Sequence, residues 1–379
     1  MLMDYFESYV SAYSPYKGGA WCYEDGCIYR GLALLHLATG EERWAAHLKR
    51  LVDAQVSPRG ELAGYSIQEF NIDNILSGRA LIYLYRLTGE EKYLLGAQLL
   101  ARQLAAHPRT KSRVYWHKKI YPWQVWLDGL YMGLPFQIEY GQLTGEDALV
   151  EDALAQIHTA LCLTHVAEAG LYAHGYDESR SQKWADPFTG RSPSHWGRAL
   201  GWLSMALVDI AELVGKKGAA QAGIAEETTA LLRRLVQLRT QNAMWLQVID
   251  RPELPGNYAE SSATAMLAYA LIKAGRLDGS GEFLAAGRES LQALAQGRLV
   301  KGKDGKAHLT GICQVAGLGG FSGTYRDGSA GYYLTEPVVD DDAKGVGPLM
   351  MAKAEALRAA KKQEALRQPD ANAAFGTPA

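Results

Sequence analysis

Three phrases in this chain share one core: "LATGEERW" at 37–44, "RLTGEEKY" at 86–93 and "QLTGEDAL" at 142–149. Each Thr-Gly-Glu lies between two helix-like segments. Glycine after a helix suits the left-handed C-terminal cap, and an acid just beyond suits the first turn of the next helix. Looser versions surround Gly215 ("ELVGKKG") and Gly275 ("LIKAGRLDG"). Turns at intervals of roughly 50–70 residues predict a repeated helical hairpin. No other feature limits the fold as strongly.

The two helices of each hairpin differ. After Gly40, Trp44, Leu48, Leu51, Val52 and Gln55 fall at helical spacing with charges between them, which describes an amphipathic outer helix. Before the turns, "NILSGRALIYLYRL" and "DGLYMGLPFQIEYGQL" are apolar or small on most faces and should be buried on more than one side. Strand signals are scarce; "MWLQVID" (244–250) reads as a short ribbon or an extended loop. These demands predict an all-α fold, an (α/α)6 barrel or six-hairpin toroid, with residues 1–367 as one domain. Its sixth hairpin would join 345–366 to the N-terminal helix. The polar tail 368–379 is expected to fray.

Counting back from each turn glycine gives a second regularity. Asp25, Asp73, Asp128, Arg198 and Glu260 lie 15, 16, 17, 17 and 15 residues before Gly40, Gly89, Gly145, Gly215 and Gly275. At the helical rise all five sit about 24 Å from the turn end, at one mouth of the barrel. Each has an aromatic close by: Trp21 and Tyr23, Phe70, Trp126, Trp196, Tyr258. Helix capping is the alternative for the acids. It does not explain Arg198, a cation placed against the helix dipole, which is better explained by meeting a carboxylate.

The remaining features narrow the class. With 39 basic and 41 acidic residues, no basic stripe points to nucleic acid. No apolar run is long enough for a membrane span and no leader h-region is present, so a cytoplasmic protein is expected. Cys22, Cys27, Cys162 and Cys313 match no zinc spacing and read as reduced, mostly buried thiols. The stretch "AGLGGFSGTYRDGS" lacks the strand–helix context of a dinucleotide loop and reads as a rim loop, with Arg326 near a leaving sugar. "DDDAKG" does not fit an EF-hand and reads as the polar lead-in to the last inner helix. No cofactor or metal is expected, and nothing sets an oligomeric state.

The blocks "NIDNI", "YPWQVWLDGLYMGLPF", "HGYDES", "HWGRALGW", "YAESSATAM" and "DDDAKGVGPLMMA" resemble, in order, those of glycoside hydrolase family 105, the unsaturated rhamnogalacturonyl hydrolases. The resemblance runs from about Trp21 to Ala352, and the Trp-Leu-Asp-Gly-Leu-Tyr-Met block is its most specific part. Family 88, which cleaves unsaturated glucuronyl residues, is related. The resemblance implies a small oligosaccharide substrate left by polysaccharide lyases, with a 4,5-unsaturated uronic acid at its non-reducing end. It implies protonation of the enol-ether double bond at C4 and addition of water at C5, after which the hemiketal opens and frees the next sugar.

Block matching makes Asp128 the general acid/base and Asp73 the second carboxylate. Trp126, Tyr131 and Trp123 would desolvate Asp128 and raise its pKa. Arg198 would pair with the uronate, His117 and Lys118 would add donors, and His174 would bond sugar or water unless it is only a structural histidine. Trp196 and Trp202 would stack on sugar, with core packing the alternative for Trp202. Tyr29 and Trp21 would line the rim, and Lys119 would be solvated. The rival readings are a glucuronyl hydrolase on ulvan, arabinogalactan or glycosaminoglycan fragments, a sugar epimerase, and a non-catalytic glycan-binding toroid.

Overall fold

The structure is a computed structural model that describes residues 1–321 and 323–367; the expected fraying of 368–379 lies outside the described residues. The helices are α1 (Leu2–Ala12), α2 (Tyr23–Thr39), α3 (Glu42–Asp53), α4 (Gly78–Thr88), α5 (Glu91–Ala106), α6 (Leu127–Thr144), α7 (Asp147–Thr164), α8 (Gly197–Gln221), α9 (Ile224–Gln237), α10 (Ser261–Asp278), α11 (Gly281–Gly297), the short α12 (Ala330–Tyr333) and α13 (Ala343–Arg367). Helices α2, α4, α6, α8, α10 and α13 form the inner ring, each packed on the next, and α13 closes back on α2. Helices α3, α5, α7, α9 and α11 pack outside their partners. On the outer surface α1 ties to Asp341, just before α13, through the Tyr5 hydroxyl at 2.6 Å, and to α3 through Glu7 and His47 at 3.0 Å. This is the six-hairpin toroid. Strand structure among the described residues is limited to two-stranded antiparallel ribbons, and 244–250 is extended loop with isolated bridges at Leu246 and Val248.

The repeated phrase works as a corner. Gly40, Gly89 and Gly145 cap α2, α4 and α6 in the left-handed conformation (φ 72°, 72° and 76°), where a Cβ would be strained. The threonine of the phrase has its own role: Thr39 Oγ1 donates to the Leu35 carbonyl at 2.8 Å and accepts from the Glu41 amide at 3.1 Å, and Thr88 repeats both bonds. Two expected corners differ. Gly215 takes a positive φ of 71°, but helical residues resume directly after it. Gly275 is buried inside α10, and the cap falls at Gly279 (φ 89°). A helix one turn longer satisfies the same apolar pattern, so spacing alone did not separate the two glycines.

Outer helix α3 buries Trp44, Leu48, Leu51 and Val52 as its periodicity predicts. Inner helix α6 is buried on almost every face. Where α2 meets α13 the backbones nearly touch. A Cβ on Gly31 would lie 2.8 Å from the Cβ of Met350, and one on Gly347 would collide with the Cys27 carbonyl.

The barrel interior is not wholly apolar. Arg79 (α4) reaches Asp209 (α8) at 2.6 Å and Glu139 (α6) at 2.7 Å; Lys273 (α10) reaches Asp209 at 2.6 Å, and Arg30 (α2) lies 3.8 Å from it. Charges from five inner helices thus meet in one network, which continues through Glu212 and Arg276 to Glu355 of α13. Those partners meet only when the ring closes, so the linear pattern gave no sign of them.

Candidate active site

The mouth is built from the segments that lead into the inner helices. Asp128 occupies the first turn of α6. The preceding Gln124–Trp126 pairs antiparallel with Gly175–Asp177, and the Leu127 amide donates to the His174 carbonyl at 3.0 Å. That register brings His174 Nε2 to 3.2 Å from Asp128 Oδ2. His174 is fully buried, while the Asp128 side chain keeps 15% of its exposure. The other ring nitrogen, Nδ1, lies 2.6 Å from the Tyr333 hydroxyl. Burial pushes the Tyr333 phenol well above its ordinary pKa, so it stays protonated. The tautomer that satisfies both contacts has Tyr333 donating to Nδ1 and Nε2–H facing the carboxylate.

Asp73 lies in a 3-10 turn (Ile72–Ile75) ahead of α4, and its amide donates to the Asn71 side chain at 3.1 Å. Lys118 Nζ is 2.6 Å from one Asp73 oxygen, and His117 Nε2 is 3.7 Å from the other. Burial alone would raise the Asp73 pKa, but Lys118 and His117 hold it below the ordinary value. His117 stacks on Trp126 with ring centres 4.3 Å apart. Burial pushes its pKa down to about 4, with Asp73 opposing and Lys118 adding to the shift. The ring is therefore neutral at neutral pH. Its nuclear magnetic resonance signals are expected to show no protonation step between about pH 5 and pH 8, and a midpoint near 6.5 would show instead a solvated ring.

Asp73, His117, Lys118, Trp126 and Asp128 line one cavity of about 380 Å³. A larger cleft of about 560 Å³ lies beside outer helix α5 and contains none of them. The cavity is also lined by residues the sequence reading passed over: Tyr16, Lys17, Glu24, Tyr121, Gln314 and Lys344, with Tyr23 and Arg326. Glu24, not Asp25, faces it. Asp25 is consumed by the Tyr13 hydroxyl (2.7 Å), the Tyr16 amide (2.8 Å) and Gln55 (2.9 Å). Glu260 is likewise spent on capping α10. The adjacent acids in "YEDG" were the available signal for Glu24. Lys344 follows the acids of "DDDAKG" at the head of α13, where Asp342 accepts from the Lys344 amide at 2.9 Å.

Other expected positions fall elsewhere. Tyr29 is fully buried in the core, its hydroxyl bonded to Gln55 at 2.5 Å, so the rim role is corrected to packing. Trp202 is also core, stacked on Tyr131 at 5.2 Å. Tyr131 lies deep, 5.9 Å from the Arg79 guanidinium, and Trp123 pairs with Trp116 at 5.0 Å. Of the three aromatics expected to wall Asp128, Trp126 alone lines the cavity. Trp21 is buried with its indole bonded to the Asn74 carbonyl at 2.9 Å, and Lys119 is exposed as expected. Trp196 is buried 4.9 Å from His174 and stacks on Tyr333. Arg198 sits against Trp196 at 5.1 Å and donates to the Cys313 carbonyl. Its Nε and Nη1 have no partner among the described residues.

The profile of Glycosyl Hydrolase Family 88 matches residues 5–360. A family 105 glycoside hydrolase of C. acetobutylicum ATCC 824 is 35% identical, covers 94% of this chain and 98% of its own, and superposes with a TM-score of 0.86. Protein Atu3128 of Agrobacterium fabrum is 57% identical over 235 residues, which are 61% of this chain and all of that protein. The unsaturated rhamnogalacturonyl hydrolase YesR of Bacillus subtilis is 26% identical over 264 residues, 68% of this chain and 72% of its own. With paired carboxylates at the mouth of a six-hairpin toroid and a family match across nearly its whole length, the chain belongs to the glycoside hydrolase family 88/105 group of unsaturated uronyl hydrolases.

Proposed function

We propose that the protein removes a 4,5-unsaturated uronic acid from the non-reducing end of lyase-generated oligosaccharides, with the unsaturated galacturonyl-rhamnose unit of rhamnogalacturonan as its substrate. The observation that carries this reading is the pair of Asp128 Oδ2 and His174 Nε2. They face each other at 3.2 Å beside the cavity, and each is buried without a hydrogen-bond partner among the described residues. Asp128 gives its proton to C4 of the double bond, and the resulting carboxylate takes a proton from the water that adds at C5. The C5 hemiketal then opens by breaking its bond to the ring oxygen, leaving a ketone at C5 and a hemiacetal at C1. The C1 bond to the leaving sugar breaks as the C1 hydroxyl becomes an aldehyde and its proton passes to the departing oxygen. His174, 3.2 Å away, places a positive edge beside the Asp128 carboxylate. Asp73 stays ionised beside Lys118 and binds sugar hydroxyls. Arg198, with two unpaired guanidinium nitrogens, takes the uronate carboxylate, and Trp126 and Trp196 wall the ring. Similarity to YesR supports the rhamnogalacturonyl choice, and four free cysteines, three of them buried, support a cytoplasmic protein.

The test is to incubate the protein with lyase-treated rhamnogalacturonan and, separately, with unsaturated glucuronyl disaccharides, following the ultraviolet absorbance of the enol ether. Loss of absorbance is expected in both, faster in the first. Faster loss on the glucuronyl series would move the substrate to that class, and binding with no loss would make the protein a glycan-binding toroid.

A further inference from the structure

Four cations line the cavity, and three are already neutralised. Lys17 lies 3.2 Å from Glu24, Lys118 2.6 Å from Asp73 and Lys344 2.8 Å from Asp342. The fourth, Arg326, has no carboxylate within ion-pair distance among the described residues. It is only 7% exposed, and its Nε has no partner among the described residues. Yet the guanidinium is held in place. Nη2 donates to the Tyr121 hydroxyl at 3.1 Å, the Phe321 ring centre lies 4.7 Å away, and the missing side chain of Gly317 leaves it room: a Cβ there would sit 2.7 Å from the guanidinium carbon. A desolvated, oriented cation without a counter-ion is costly. A forked donor of this kind is matched by an oxyanion.

Its position says which part of a substrate would supply that oxyanion. Tyr121 stacks on Trp126 at 4.8 Å, and Trp126 stacks on His117 at 4.3 Å. Arg326 therefore ends an aromatic wall that begins beside Asp73. It is carried by the ribbon of Gly319–Phe321 and Thr324–Arg326, whose Phe321 and Tyr325 are 53% and 40% exposed. Arg198 approaches instead through Trp196 and His174, next to Asp128. With Arg198 assigned to the uronyl end in the reading above, Arg326 is left for the other end of the sugar chain. We propose, resting on the unsaturated-uronyl reading above, that Arg326 is a specificity residue for a carboxylate or sulfate on the departing part of the substrate. That anion is carried either by the leaving sugar itself or by the next sugar along. Tyr121 is a positioning residue that aims the guanidinium.

The experiment compares kcat/KM on three substrates sharing one unsaturated uronyl group: a disaccharide with a neutral leaving sugar, a disaccharide with a carboxylated or sulfated one, and a longer oligosaccharide in which a uronate follows a neutral leaving sugar. The acidic-to-neutral ratio should fall about 30-fold in Arg326→Gln. It should fall less in Tyr121→Phe and recover in part in Arg326→Lys. Whichever acidic substrate loses most identifies the sugar that carries the anion. Equal losses on all three substrates, or an unchanged ratio in both Arg326→Gln and Tyr121→Phe, would overturn the assignment. Should Arg326→Gln not fold, Tyr121→Phe and Arg326→Lys decide by the same ratio. If the unaltered enzyme consumes none of the three, the hydrolase reading fails and this inference with it; consumption without a change in ratio overturns the Arg326 role alone.

Discussion

Asp128→Asn is expected to lower kcat by about 10³-fold, the middle of the range for a positioned general acid/base. The amide keeps the size of the carboxyl and its place beside His174 Nε2, which lies 3.2 Å from Asp128 Oδ2. It cannot deliver a proton to carbon or take one from water. Binding contacts elsewhere in the cavity are untouched, so KM should change far less than kcat. The measurement is steady-state loss of the enol-ether absorbance, with thermal unfolding as a check that the fold is retained. A variant keeping more than about a tenth of normal turnover would remove Asp128 from the chemistry.

The second large effect concerns stability. Asp209→Asn should cost about 3–5 kcal/mol, the range for removing one member of a buried ion pair. Asp209 is fully buried and touches Arg79 and Lys273, each at 2.6 Å. Without its charge those cations remain desolvated and under-paired. Burial would raise the Asp209 pKa, yet Lys273, Arg79 and Arg30 hold it far below the ordinary carboxylate value, and Glu212 is depressed in the same way. For a folded-state pKa below the unfolded one, the unfolded chain binds more protons between the two values. The stabilisation is therefore complete above about pH 4, the unfolded value, and is lost as pH falls through the folded one. Denaturant unfolding at neutral pH measures the cost, and repeating it in acid should show a shallower pH dependence in the variant. A loss under about 1 kcal/mol would mean that water enters the network and takes over the role of the carboxylate.

What the sequence made legible follows from the range of each interaction. Corners at Gly40, Gly89 and Gly145 are local: a cap depends on residues within one turn, and these read correctly. The mouth was legible because similar stretches of chain, 16 and 17 residues, separate Asp73 and Asp128 from their corner glycines, and so the two were found together. That argument fixes depth but not azimuth. It could not tell Glu24, which faces the cavity, from Asp25, which faces a loop and Gln55. The same blindness put Tyr29 at the rim and left Trp202 open between sugar and core, although both point into the core. Arg30, Arg79, Glu139, Asp209 and Lys273 were passed over because their partners lie on other helices, tens of residues away.

The contact between α2 and α13 has a consequence for how such an enzyme can change. At Gly31 and Gly347 the spacing of the two helices is set by an absence, and no intermediate side chain exists between hydrogen and methyl. The circumference of the ring is thus a stepped quantity that cannot be tuned by small substitutions at the seam. New substrates are more readily accommodated above the ring, in the segment between α1 and α2 that carries Lys17 and the ribbon that carries Arg326. Those segments can vary in length and charge while the helices beneath keep one diameter.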